Sequence, residues 1–208
     1  MNDIAAIGAA YDEIAVLYDE LVRQPLYSQP FDDAMLAAFT ELVGPGGAVA
    51  DIGCGQGRIA AQLAGAGLDV RGIDVSDALL TMARTEYPHL RFDAGSMEDL
   101  DFGAATLDGV VAWYSIIHLP PDRIPGVLAE FHRVLRAGGH ALLAFQATDG
   151  SEVVEPFDHK VIRAYRWSPE RLAELLQDSG FQVLARMVRE PGPGERFEQA
   201  YVLCWKPR

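Results

Sequence analysis

The chain reads as an α/β protein. The predicted architecture is a three-layer α/β/α fold around a mostly parallel seven-stranded sheet, with one antiparallel strand in a C-terminal hairpin. Three observations predict it. Short apolar runs alternate with helical repeats from Ala48 to Phe145, as expected of a parallel sheet covered on both faces. The last two strand-like runs follow each other with no helix between them, so they should pair antiparallel. A glycine-rich turn stands between the first strand and the helix after it.

The elements follow in order. Phe31, Met35, Leu36, Phe39, Leu42 and Val43 recur at helical spacing, and Gly44-Pro45-Gly46-Gly47 ends that helix. Ala48 to Ile52 is a strand, Gly57 to Ala66 a helix, Asp69 to Ile73 a strand and Asp77 to Glu86 a helix. Leu90 to Asp93 and the valine-rich Leu107 to Trp113 are the next strands. Ile124, Val127, Leu128, Phe131, Val134 and Leu135 mark a helix, and Gly138-Gly139 turns it into a strand from His140 to Phe145. Ser168-Pro169 opens a helix with an N-cap followed by proline at the first helical position, and Gly180 stops it. Strands near Phe181 to Val188 and Gln199 to Trp205 flank the loop Pro191-Gly192-Pro193-Gly194.

Composition narrows the function. With 208 residues, half of them hydrophobic, the chain can build one sizeable core, and a single domain over 1–208 is expected. No run approaches the ~18 apolar residues of a membrane span, and the first residues lack the pattern of a signal peptide. Two cysteines, Cys54 and Cys204, make no disulfide framework, so a cytoplasmic protein is expected. A net charge of −13 is the opposite of a nucleic-acid binder's footprint, so neither nucleic acid nor membrane is an expected partner. The five histidines form no His-x-x-x-His pair and the cysteines no Cys-x-x-Cys pair, so no metal site is expected.

The most informative segment is Asp51-Ile52-Gly53-Cys54-Gly55-Gln56-Gly57. Glycines let the backbone turn sharply and let a ligand approach main-chain atoms. A dinucleotide fingerprint wants its third small residue at position 58, where this chain has Arg, which counts against a pyrophosphate ligand and a nicotinamide dehydrogenase. Asp74 ends the second strand, where an acid can accept hydrogen bonds from both hydroxyls of a ribose. The alternative is that Asp74 or Ser76 caps the following helix, a job for which Ser76 is well placed.

With Gly72-Ile73-Asp74-Val75-Ser76, Gly95-Ser96-Met97-Glu98-Asp99-Leu100, Phe131 to Gly139 and Ser179-Gly180-Phe181, the chain resembles the class I S-adenosylmethionine-dependent methyltransferases, small-molecule type, from about Tyr11 onward. The resemblance implies methyl transfer from S-adenosyl-L-methionine to a small-molecule acceptor, leaving S-adenosyl-L-homocysteine. It implies that Asp51, Gly53, Cys54, Gly55 and Gly57 lie at the methionine part of the cofactor. Asp74 and Val75 then lie at the ribose, and Ser96 and Met97 flank the adenine. Serine at 96 is shorter than the family's frequent aspartate, which leaves the Met97 backbone amide for the ring. The run Tyr11 to Glu20 resembles the family's helical lid, so residues 1–45 would form N-terminal helices over a core of 46–208. Tyr11 and Tyr18 would close over the cofactor and Arg23 would meet its carboxylate, or the segment is an amphipathic helix with tyrosines at its rim.

Ligands in such folds lie beyond the carboxyl ends of the strands, which places Trp113, Tyr114, Ser115 and His118 at the cofactor pocket and transfer site. His118 is the candidate base; the alternative is a packing histidine with a satisfied ring. Glu155 to Trp167, mixed in charge and aromatic, is expected over the acceptor site or as a solvated connection. A non-catalytic binding module and a protein or nucleic-acid methyltransferase are the rival readings, and monomer and homodimer both stay open.

Overall fold

The computed structural model describes residues 3–22, 30–150 and 152–208. Helices α1 (Ile4–Val22) and α2 (Pro30–Val43) precede β1 (Ala48–Ile52), α3 (Arg58–Gly65), β2 (Asp69–Asp74), α4 (Asp77–Glu86), β3 (Arg91–Ala94) and β4 (Leu107–Trp113). After two short 3₁₀ turns come α5 (Ile124–Val134), β5 (Leu135–Gln146), β6 (Val154–Asp158), β7 (Arg163–Trp167), α6 (Pro169–Asp178), β8 (Gln182–Arg189) and β9 (Gln199–Trp205). Among the described residues no helix is long and apolar enough to cross a membrane.

The main sheet has seven strands in the order β3-β2-β1-β4-β5-β9-β8. Strands β1 to β5 are parallel, and β9 runs antiparallel to both β5 and β8. The short β8–β9 connection forces that reversal, because a crossover back to parallel needs a helix-length segment. The predicted sheet is therefore the observed one. Its order reverses at β1, which pairs with β2 on one side and β4 on the other. A crevice opens at the carboxyl ends of strands about such a switch point.

Both sheet faces are buried. On one, α2, α3 and α4 contribute Met35, Leu36, Phe39, Ile59, Leu63 and Leu80 to a core that includes Val49, Val111 and Leu142. On the other, the α5 stripe Ile124, Val127, Leu128 and Phe131 joins Leu172 and Leu176 of α6. Burial on both faces explains why β4 and β5 read as nearly continuous apolar runs. Caps fall where expected. The Ser76 side chain accepts from Leu79 N at the start of α4, and Ser168 does the same for Arg171 N in α6.

The larger departures from expectation concern α5, the start of α3 and the segment after β5. The α5 helix stops at Val134, and β5 starts at Leu135 instead of His140, because Leu135 already pairs with Leu107 across an irregular register. Gly57 precedes α3 as its cap instead of joining it. Glu155 to Trp167 is no irregular connection: β6 and β7 form a separate antiparallel hairpin, with Phe157 paired to Ala164 and Glu155 to Arg166. The Glu155–Arg166 pair is also an ion pair, so two of that segment's charges neutralise each other.

Candidate active site

The glycine loop is shaped by three contacts. The amides of Gly53 and Cys54 both bond the Ile73 carbonyl, at 2.7 and 3.1 Å, tying the end of β1 to β2. Gly53 has φ of +74°, and a Cβ there would stand 2.2 Å from the Cβ of Ser115. Ser115 in turn donates its hydroxyl to the Ile52 carbonyl at 2.6 Å. At Gly57, with φ of +86°, a Cβ would lie 2.6 Å from the Phe92 ring. Gly57 thus packs against Phe92 behind the loop and lines neither the cleft nor the recess beside it.

The cleft at the carboxyl ends of β1, β2 and β4 encloses about 650 Å³, part of it open to solvent. Tyr11, Tyr18, Gly53, Gly55, Asp74, Val75, Met97, Trp113, Tyr114, Ser115 and His118, all candidate site residues from the sequence, line it. A recess of about 370 Å³ adjoins it, sharing Tyr18, Gly53, Gly55 and Trp113, and adds Asp51, Cys54, Gln56 and Arg58. Ser96 lines neither space; its hydroxyl accepts from the Glu98 amide at 3.2 Å, closing a local turn. Arg23 lies outside the described residues.

Asp74 is buried at the end of β2. One carboxylate oxygen accepts from Gly55 N at 2.7 Å and the other from Ser76 N at 2.9 Å. Burial raises its pKa above the ordinary carboxylate value, and these backbone bonds oppose the rise. A carboxylate offers about four lone-pair sites, so these bonds leave acceptor capacity for a ligand. Ser76 caps α4 itself, which leaves Asp74 free of that task.

Asp51 is buried next to the last residue of β1, and its Oδ2 has no hydrogen-bond partner among the described residues. Burial, then the charge of Asp74, push its pKa up to about 7. The indole Nε1 of Trp113 is likewise buried without a partner. An orphaned acceptor and an orphaned donor thus belong to residues lining one recess, with Arg58 beside them. Buried polar atoms left in this way call for a partner. Burial pushes the Cys54 thiol well above its ordinary range, which favours the unreactive thiol form.

Across the cleft, α1 brings the Tyr11 hydroxyl within 2.7 Å of His118 Nε2. His118 is buried, and burial, followed by the neighbouring His159, lowers its pKa to about 3. The ring is therefore neutral near pH 7. His159 comes from the turn between β6 and β7 and stands edge-on to His118, with ring centres 4.9 Å apart. The hairpin thus reaches the site through His159, which the sequence placed only loosely. Sequence reading also missed Ile4, Ile7, Leu79, Gly95 and Leu119, all of which line the cleft. Ile4, Ile7 and Tyr11 share one helical face, a spacing visible in the sequence. Asp12 was missed as well: its carboxylate accepts from the Ser76 hydroxyl at 2.6 Å and the Ala78 amide at 3.0 Å, docking α1 on the start of α4. No cluster of three or more metal-ligating side chains occurs among the described residues.

Residues 49–139 match a family described as a methyltransferase domain. The chain is 27% identical to O-methyltransferase cnsE of Penicillium expansum, over 86% of this chain and 72% of that protein. It is 27% identical to O-methyltransferase resE of Aspergillus sclerotiorum, over 86% and 77% of the two chains. Among solved structures it resembles the Burkholderia thailandensis 1,6-didemethyltoxoflavin-N1-methyltransferase, determined with 1,6-didemethyltoxoflavin and S-adenosylhomocysteine bound. There the TM-score is 0.78 and the identity 22%, with 100% of this chain and 92% of that one covered.

Proposed function

We propose that the chain is a class I S-adenosylmethionine-dependent methyltransferase that methylates a small-molecule acceptor by in-line displacement, chiefly through positioning. S-adenosylmethionine, its cofactor, supplies when bound an electrophilic methyl on a positively charged sulfur, which needs a nucleophile in line roughly 3 to 3.5 Å away and a dry slot.

The residues present fit that cofactor. Asp74 would use its spare lone pairs on the ribose hydroxyls while Gly55 N holds the carboxylate in place. The recess would take the amino-acid end: the unpartnered Asp51 oxygen suits an ammonium, and Trp113 Nε1 and Arg58 suit a carboxylate. Val75, Leu79 and Met97 offer the apolar surface an adenine needs. Tyr11 and Tyr18, stacked edge-on at 5.1 Å, lie on α1 over the cleft, so α1 serves as the lid.

His118 is given the acceptor-side role. Burial keeps it neutral, the form able to take a proton from an acceptor that still carries one. Its low pKa moves any corresponding limb of a rate profile well below 6.5, where an ordinary histidine would place it. On this reading residues 1–208 are one methyltransferase domain, working as a monomer or homodimer, and the net charge of −13 favours a small acceptor over nucleic acid.

The observation that carries the reading is Asp74, locked by the glycine loop and with acceptor capacity left over. Calorimetry with S-adenosylmethionine and S-adenosylhomocysteine tests it, followed by an acceptor screen that reads S-adenosylhomocysteine formation. Absence of heat with both compounds at high protein concentration overturns it.

A further inference from the structure

Behind the cleft lies a polar cluster that the proposed reaction does not use. Asp32 in the first turn of α2, Arg189 at the end of β8 and Tyr201 in β9 are all buried. The Tyr201 hydroxyl donates to Asp32 Oδ1. Arg189 Nε donates to Asp32 Oδ1 at 3.3 Å and to the Tyr201 oxygen at 3.1 Å. The other end of the guanidinium is clamped by Glu195, at 2.5 and 2.7 Å, and Glu195 also accepts from Gly192 N at 2.6 Å. Two carboxylates therefore share one cation under the sheet. Such a cluster costs desolvation and is weak evidence for stability alone, whereas fixing a particular geometry is a well-attested use of one.

The cluster meets the active site at Tyr114 and Trp113. The Tyr201 oxygen lies 3.3 Å from that of Tyr114, which lines the cleft directly after β4. Tyr114 has φ of +53°, one of three positive values at non-glycine residues among those described. A residue of this type holds such a conformation only where its surroundings over-determine it. The turn it makes places Ser115 against Gly53, with the Ser115 hydroxyl on the Ile52 carbonyl. The glycine loop is thus braced by a strained turn, and the phenol at that turn is hooked to the cluster. The Trp113 ring also packs on Tyr201, with centres 5.4 Å apart, and Trp113 lines both the cleft and the recess.

We infer that Tyr201, held by Asp32 and Arg189, is a positioning residue for the cofactor: it keeps Tyr114 in its turn and thereby sets the glycine loop for binding. The inference rests on the cofactor reading above. It assigns Tyr201 no contact with the cofactor itself.

The test is a double-mutant cycle on S-adenosylhomocysteine affinity, measured by calorimetry on the parent chain, Tyr201→Phe, Tyr114→Phe and the pair, with melting temperatures recorded alongside. Each single change removes one end of the same hydrogen bond and should weaken binding roughly 3- to 10-fold. The double variant should bind no more weakly than the worse single one, since coupled residues are non-additive. A purely structural Tyr201 would lower the melting temperature and leave affinity unchanged, which overturns the inference. Losses that multiply across the cycle overturn it too. If Tyr201→Phe fails to fold, Asp32→Asn replaces it in the same cycle with the same criteria. A parent chain that binds no S-adenosylhomocysteine instead overturns the cofactor reading, and this inference with it.

Discussion

Alanine at Gly53 and alanine at Gly55 should separate what the loop does for folding from what it does for binding. At Gly53 the new Cβ would stand 2.2 Å from the Ser115 Cβ and 3.0 Å from its Oγ, with φ already at +74°. The left-handed backbone costs about 1–2 kcal/mol for a non-glycine residue. Moving Ser115 aside gives up its hydrogen bond to Ile52, a net loss of about 1 kcal/mol, and overpacking adds about 1–3 kcal/mol. Gly53→Ala should therefore cost roughly 3–6 kcal/mol, a large fraction of a typical domain's stability. At Gly55 the backbone is similarly left-handed, φ +55°, but the nearest atom to the new Cβ is Leu79 Cδ1 at 3.9 Å. Only the backbone penalty applies, so Gly55→Ala should cost about 1–2 kcal/mol. Its methyl group narrows the cleft, so affinity should fall, and Gly55→Val should abolish binding. Urea unfolding gives stability from the midpoint at constant slope, and calorimetry with S-adenosylhomocysteine gives affinity. Equal stability losses at the two positions would refute the role assigned to Ser115. Full affinity in Gly55→Val would mean that the loop does not touch the ligand.

Asp74→Ala should weaken S-adenosylhomocysteine binding by one to two orders of magnitude or more, at roughly 1.5 to 3 kcal/mol per charge-assisted bond, and calorimetry checks it; because Gly55 N and Ser76 N also lose their acceptor, some stability goes with it. Ser76→Ala removes the α4 cap and the bond to Asp12, and the melting curve should report a loss of about 1–2 kcal/mol. His118 has its folded pKa lowered to about 3, so between that value and about 6.5 the unfolded chain binds the extra proton and stability falls as pH falls. Asp51, raised to about 7, has the opposite sign: its protonated form is favoured in the fold, so stability falls as pH rises from about 4 to 7. Between about pH 4 and 6.5 the two slopes oppose each other, so His118→Asn should make stability fall more steeply as pH rises and Asp51→Asn should make it rise with pH, in denaturant titrations from pH 4 to 8. An unchanged slope in either variant would remove that residue from the account. Once an acceptor is known, His118→Ala should lower turnover roughly 10²- to 10⁴-fold with cofactor affinity nearly intact if it takes the proton; an unaltered rate leaves positioning alone.

The local chemistry of the sequence determined the sheet and most of the cleft. Apolar runs of strand length, helical stripes, and caps at Ser76 and Ser168 are short-range signals, and they fixed the seven main strands and their order of appearance. The glycine spacing and Asp74 were readable for the same reason: backbone freedom and an acid at a strand end are properties of a few adjacent residues. What tertiary structure decided depends on residues far apart in the chain. That Gly57 has a packing reason to be glycine shows only in the fold, where the ring of Phe92, from another strand, occupies the space of its missing Cβ. Tyr11 and His118 are 107 positions apart, and their contact exists only because α1 lies across the ends of the strands. The β6–β7 hairpin escaped notice because its two strands alternate weakly and carry their own neutralising pair, so no continuous apolar face announced them. The cluster joining Asp32 to Tyr201, 169 positions apart, had no signature at all in the sequence. A buried ion group is assembled by packing, and only burial separates its members from ordinary surface charges.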